Sequence, residues 1–456
     1  MQDLTQGSIP RHVLKLAAPI AIGMLFQTLY FLIDLYFVAT LGEAAIAGVG
    51  AAGSLQFIVM ALTQALGIGT MALIAHAVGR KDRDDANRVA NQGLGLALIA
   101  TLATLVGGYV FAGRWMDALS EDTATIAAGR TYLVWLLPGM SLQFAFTVMV
   151  SALRGTGIAK PTMLAQVATV GLNALFAPIL ISGWLTGLPL GVAGAGLATT
   201  LAVAIGFGGL WLYFARAEQY VRFDRSVFAP RIDVWKRILA IGLPPGGEFA
   251  LMFVIISAIY YAIRGFGPDA QAGFAVGLRV MQAVFLPAMA IAFAAAPVAG
   301  QNMGAGQHAR VRETFRVTAT IGSVAMLVLT LLCQWQPEWL VAWASGDREV
   351  VAVAAGYLGV TSWNFVASGL IFTCSGLFQA LGNTLPSLAA SASRLVTFVL
   401  PALWLSTRPG FELRQLWWLS VTTVLLQALC ALFLLRRELN LASPPKLGRA
   451  PLIRLS

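Results

Sequence analysis

Charge is what this sequence lacks most. Of its 456 residues, 11% are Asp, Glu, Lys or Arg, against about 25% in an ordinary soluble domain. No soluble domain of useful size can be cut from it. Cysteine and histidine are scarce too, with three of each. Cys333, Cys374 and Cys430 lie in or beside apolar runs and share no metal-ligand spacing. They read as small core residues rather than a disulfide or redox pair. His12, His76 and His308 are scattered. HEXXH, Walker A and GxSxG patterns are absent, so the sequence offers no hydrolase, nucleotide or metal machinery. The expectation is a protein that is no enzyme and holds no cofactor or metal.

What fills the chain is apolar residues, 58% of the total, with a mean hydropathy of +0.78. Runs of roughly 20 apolar residues, each enough to cross a ~30 Å hydrocarbon core, recur from end to end. Twelve spans are expected near 13–40, 45–76, 90–113, 127–153, 162–183, 190–215, 236–264, 271–300, 315–335, 350–380, 385–407 and 414–436. The first run is too long for the apolar region of a signal peptide and lacks a small-residue cleavage site, so it stays as a span.

The net charge of +10 does not point to nucleic acid, because the basic residues sit in short loops between spans. Of the 30 Lys and Arg, 22 fall on the side of the two termini and six, Arg114, Arg130, Arg264, Arg348, Arg408 and Arg414, on the other. That bias places both termini in the cytoplasm. The longest basic connection, about 216–237, reads as a segment along the inner leaflet. The tail containing SPPKLGRAP reads as a cytoplasmic extension.

The chain repeats itself at an offset of 225 residues. Pro19 pairs with Pro244, Gly42 with Gly267, Ala47 with Ala272, Gly48 with Gly273, Gly79 with Gly304, Gly157 with Gly382 and Pro161 with Pro386. Each half carries six spans, an even number, so both halves enter the membrane from the same side. The fold class is therefore an all-α polytopic membrane protein whose two six-helix bundles form a parallel, pseudo-two-fold repeat. In secondary transporters of this plan the substrate site lies between the halves. The organisation expected is an N-terminal bundle over 1–215, a linker over 216–235, a C-terminal bundle over 236–437 and a tail over 438–456.

Two carboxylates, Asp34 and Glu248, fall inside long apolar runs. A carboxylate in a span is costly and marks function by default. Gln27, Tyr30, Phe31 and Asp34 are spaced to share one helix face, so Gln27 and Tyr30 can hydrogen-bond to the carboxylate or to what it binds. Withdrawal from water penalises the charged form of a carboxylate, which suits Asp34 to carrying a proton. Glu248 follows Pro244-Pro245-Gly246-Gly247 and is read at the start of span 7. It is either a counter-charge for a cationic substrate or second proton site, or a carboxylate stabilised at a helix N-terminus. Met252, Met281 and Gln282 offer an adaptable lining beside it. Arg279 and Arg394 are the basic residues inside spans; structural roles are expected, with an Arg279–Glu248 pair as one option.

These residues carry a resemblance. The first half has Q-x-x-Y-x-x-x-D-x-x-F-V-A-x-L-G from Gln27 to Gly42, then GIGTMALIAHAVGRKD. The second has LPAMAIAFAAAPVAGQNMGAGQ from Leu286 to Gln307, then ALGNTLPS. The sequence resembles the multidrug and toxic compound extrusion (MATE) family over nearly its whole length, and its DinF-like branch in particular. The resemblance implies an inner-membrane antiporter, a monomer, that exports amphipathic, often cationic organic compounds in exchange for H⁺ or Na⁺. It makes Asp34 the coupling carboxylate, with Tyr30 and Asn173 as its partners. The family's usual N-x-x-x-D-P in span 5 reads here Asn173-Ala-Leu-Phe-Ala177-Pro178. Loss of that second aspartate weakens the Na⁺ case, since a hard cation prefers several oxygen ligands. The substrate-facing residues expected are Gln27, Phe31, Glu248, Met252, Met281 and Gln282. A lipid or lipid-linked oligosaccharide flippase of the same superfamily is the alternative, although the spans hold few basic residues to meet phosphates.

Overall fold

The computed structural model describes residues 1–216, 218, 220–224, 229–342 and 347–442, with the side chains of Tyr30, Phe31, Leu32, Asp34 and Leu35 outside the described set. The tail beyond 442 and the centre of the basic connection, 225–228, also lie outside it.

The described residues are almost all helical, in the order α1 (Ile9–Ala39), α2 (Glu43–Gly79), α3 (Arg83–Leu119), α4 (Thr123–Gly155), α5 (Lys160–Ile181), α6 (Val192–Arg216), α7 (Ile232–Ile263), α8 (Pro268–Gly304), α9 (His308–Trp335), α10 (Pro337–Ala342), α11 (Arg348–Thr361), α12 (Phe365–Leu381), α13 (Leu385–Arg394), α14 (Leu400–Leu405) and α15 (Leu413–Leu441). Among the described residues, twelve helical segments are long and apolar enough to cross a membrane. The tenth is α11 and α12 joined through a 3₁₀ turn at Ser362–Asn364. The eleventh is α13 and α14 joined through a π-helical turn at Leu395–Val399. Several helices run beyond the expected spans, as α3 does by seven residues at its start, because their polar first turns are still capped. Asp82 accepts from the Asp85 amide at 2.9 Å, satisfying one of the free N–H groups at the helix start.

Helices α1–α6 form one bundle and α7–α15 the other. In each bundle the second span packs on the fourth, α2 on α4 and α8 on α12. Between bundles, α2 lies along α7 and α8, and α1 along α8. These contacts gather at the basic end. In α1, Ile9, Val13, Leu16, Ala17 and Ile20 are buried in one cluster with Ala290, Ile291, Ala294 and Val298 of α8, while Leu25, Leu29 and Tyr36 farther along are exposed. In α2 burial is continuous from Ala65 to Ala75 and intermittent before Thr63. The bundles are closed on each other at the basic end and part toward the other end.

At two of the prolines inside the spans, a hydroxyl from a neighbouring helix takes up the carbonyl that proline leaves without a donor. Pro138 supplies no N–H for Val134, and the Tyr109 hydroxyl donates to that carbonyl at 3.0 Å. Pro245 supplies none for Ile241, and the buried Thr384 hydroxyl donates there at 2.6 Å. The Pro244–Pro245 pair therefore lies within one continuous helix, α7.

The connection between the bundles is stitched to α3 by side-chain amides. Asn87 Oδ1 accepts from the Arg222 amide at 2.6 Å. Asn91 donates to the Arg222 carbonyl at 2.9 Å and accepts from the Asp224 amide at 3.0 Å. Gln92 donates to the Ala229 carbonyl at 2.9 Å and accepts from the Arg231 amide at 2.8 Å.

Candidate functional site

Continuity of α7 relocates Glu248. The sequence reading put it at the start of span 7, yet the helix starts at Ile232, sixteen residues earlier, roughly 24 Å at 1.5 Å per residue. The helix-N-terminus account of this carboxylate falls with that, since the helix-terminal field dies away within the first turn. Glu248 is partly buried, its Oε1 has no hydrogen-bond partner, and the Ser387 hydroxyl of α13 bears on the carboxylate. The Arg279–Glu248 pair does not form: Arg279 is exposed, and the ion pairs among the described residues all run to Asp85.

In the first bundle, Tyr30, Phe31 and Asp34 lie on α1 with side chains outside the described residues. Asn173 is on α5, buried, and donates to the Thr199 hydroxyl of α6 at 3.3 Å. Its Oδ1 is buried with no partner, an acceptor still to be satisfied in a lipid-embedded bundle. The two helices run side by side in the same direction, with Gly23 of α1 against the Gln166 side chain of α5. Tyr30 is seven residues beyond Gly23 and Asn173 seven beyond Gln166. Equal rise puts Tyr30 and Asn173 at one level and Asp34 one turn farther.

The substrate-facing candidates separate. Gln27, Met252 and Gln282 are exposed, without a hydrogen bond among the described residues. Met281 is packed inside the second bundle, where its sulfur accepts from the Tyr357 hydroxyl at 3.4 Å. Among the described residues no hydrogen bond joins these side chains to one another.

Three features escaped the sequence reading. The first is a matched pair of bridges where the bundles close. Gln301 of α8 donates to the Gly155 carbonyl of α4 at 3.0 Å. His76 of α2 lies 2.5 Å from the Ala380 carbonyl of α12. Residues 76 and 301 are 225 apart, and so are 155 and 380. The bridges are thus one interaction made twice across the pseudo-two-fold axis. Gln301 also accepts from the Leu4 amide at 3.0 Å, and Asn302 donates to the Leu4 carbonyl at 3.1 Å, which ties the N-terminus to the second bundle. The repeat offset was the signal that could have linked His76 to Gln301.

The second is Asp85, which holds Arg80 at 2.8 Å, Arg88 at 3.7 Å and Arg237 of α7 at 3.8 Å. This clasp again joins the two bundles at the basic end. The third is the amide stitching of the connection to α3. Neither leaves a motif in the sequence, because partners far apart along the chain are brought together only by the fold.

The family model MatE matches residues 19–179 and 244–404, two blocks displaced by the same 225 residues. The probable multidrug resistance protein YoeA of Bacillus subtilis (strain 168) is 24% identical over 392 residues, 84% of each chain. The probable multidrug resistance protein NorM of Bradyrhizobium diazoefficiens is 26% identical over 409 residues, 86% of this chain and 85% of that one. A solved structure of a multidrug resistance MATE family transporter of the MOP superfamily, in an outward-facing conformation, superposes with a TM-score of 0.90 at 25% identity over 97% of this chain and 98% of that one. This chain belongs to the MATE family of multi-pass membrane transporters.

Proposed function

We propose that the protein is an inner-membrane antiporter that exports amphipathic, often cationic organic compounds in exchange for H⁺. Its termini lie in the cytoplasm, on the basic side, and the monomer is the transporting unit. The bundles over 1–215 and 236–437 rock about their contact, with the linker 216–235 between them and the tail 438–456 outside both. Asp34 is the coupling carboxylate, and Tyr30 and Asn173 act beside it. Gln27 and Phe31 from the first bundle, with Glu248, Met252, Met281 and Gln282 from the second, meet substrate at different stages of the cycle.

The observation that supports this most is the asymmetry along the membrane normal. The bundles are locked at the basic end by paired bridges and parted at the other. A rocking carrier needs such a bistable interface, and an ion can drive it only by binding its two states unequally. Proton uptake on Asp34 supplies that inequality, because it removes a charge from the spanning part of α1. Asn173 has a free acceptor at the level of Tyr30, which suits a protonated carboxyl donating toward it. The relatives named for multidrug resistance support the substrate class.

The deciding experiment is efflux of a cationic dye from proteoliposomes under an imposed pH gradient, then under a Na⁺ gradient. The pH gradient is expected to drive efflux and the Na⁺ gradient to fail. Efflux driven by Na⁺ alone would replace the ion, and dye movement under neither gradient would end the exporter reading.

A further inference from the structure

Arg394 closes α13, just before the π-helical turn at Leu395–Val399. It lies inside the second bundle, in a span, where an ionised side chain is expensive and is normally paired. Its partners are weak. One Nη2 contact reaches the Ser420 hydroxyl of α15 at 3.5 Å, and the guanidinium carbon sits 5.1 Å from the centre of the Phe398 ring. The Nε–H is buried with no acceptor. Among the described residues the ion pairs all belong to Asp85, so no carboxylate neutralises it. Glu248, the other charged group of this bundle's interior, bears on Ser387. Ser387 is seven residues nearer the basic end of the same helix, about 10 Å along its axis, beyond ion-pair reach.

An arginine kept for packing would spend its five donors on carbonyls at a helix end. Arg394 spends little of that capacity. A buried guanidinium with a spare Nε–H and no counter-ion is suited to receiving an acid from outside the protein.

We infer that Arg394 receives the acidic group, a carboxylate, sulfonate or phosphate, of an amphiphilic substrate taken into the second bundle. This rests on the reading of the chain as an exporter of amphiphiles and adds acids to a range otherwise expected to be cationic. An occupant's anion would fill the unused Nε–H and one Nη–H together, in the two-point geometry that arginine favours.

Rhodamine B and rhodamine B ethyl ester differ only at the carboxylate and serve as the test pair. Binding is measured by fluorescence anisotropy on the full chain in phosphatidylcholine nanodiscs, with no ion gradient. R394M is expected to weaken binding of the acid at least tenfold and to change the ester by less than twofold. R394K, which keeps the charge but lacks the two-point fork, should bind the acid more weakly than the parent protein and more tightly than R394M. R394Q replaces R394M if the latter does not fold, and retained ester binding reports a folded site. Equal effects on acid and ester, or none on either, overturn the proposal and leave Arg394 a packing residue. In phosphatidylglycerol nanodiscs, acid binding that falls for the parent protein but not for R394Q supports the anion site and assigns it to a lipid headgroup. Because no gradient is involved, failure of proton coupling leaves this outcome readable.

Discussion

Gly79 and Gly304, 225 residues apart, each lie against the backbone of the other's helix where α2 and α8 cross. A Cβ added at Gly79 would run into the Gln301 carbonyl, and one added at Gly304 into the His76 carbonyl. The crossing is reciprocal, so the surface each bundle presents there is the same surface twice. It is also unyielding, because the obstacle is main chain rather than a side chain that can turn away.

Gly79→Ala and Gly304→Ala are therefore expected to push the basic ends apart. Overpacking of this kind costs about 1–3 kcal/mol, and about 1.4 kcal/mol shifts a two-state ratio tenfold. Spin labels at Asp84 and Glu313, on the starts of α3 and α9, should report a larger population at long distance in either variant. Unchanged distance distributions would show that the crossing does not hold this end shut.

Gln301→Ala strips acceptors and donors from two buried main-chain groups, the Leu4 amide and the Gly155 carbonyl. Leaving them unsatisfied costs about 1–3 kcal/mol each. The same label pair should open further than in His76→Ala, which removes one bridge. His76→Gln installs on α2 the side chain its repeat partner already uses, and is expected to retain the closed population. Opening by His76→Gln as large as by His76→Ala would deny that the two bridges are equivalent.

Asp34→Asn keeps the shape of the side chain and removes its proton exchange. The variant should accumulate to near-normal levels and lose efflux driven by a pH gradient. Undiminished efflux at ordinary expression would refute the coupling role.

Asp122 precedes α4 at the end away from the basic loops. Its carboxylate accepts from the Thr125 hydroxyl at 2.6 Å, the Thr125 amide at 2.9 Å and the Ala124 amide at 3.4 Å. These donors, the Thr125 hydroxyl foremost, hold its pKa below the ordinary 3.8. A carboxyl lowered on folding stabilises the fold fully above its unfolded value and ceases to do so as pH falls through the folded one. Asp122→Ala should thus lower the thermal midpoint at neutral pH and match the parent protein in strongly acidic buffer. A deficit that persists unchanged in acid would point to a cause other than the ionised cap.

Much of the fold was legible. The spans could be read because a membrane helix satisfies its own backbone and declares itself by local hydropathy. Their ends were less so: α3 begins at Arg83, where the apolar run has not started, because a capped polar turn extends the helix outside the bilayer. Glu248 was misplaced because a Pro-Pro pair reads as a boundary, and the rescue of the Ile241 carbonyl by Thr384 comes from 143 residues away. For the candidate site the sequence offered residue types only, carboxylates and adaptable side chains inside spans. Its grouping was not legible, for Met281 turned inward to Tyr357 while Gln282, its neighbour in sequence, stayed exposed.

By itself the sequence determined the twelve-span plan, the unequal distribution of basic loops and the register of the repeat, since each depends on composition and spacing along one chain. The tertiary structure alone decided which end of the two bundles is shut. The repeat says that His76 corresponds to Gln301, but only the crossing of α2 and α8 sets each against a carbonyl of the opposite bundle. Equivalence is a property of sequence, whereas contact depends on helix angles and depths that no local signal encodes.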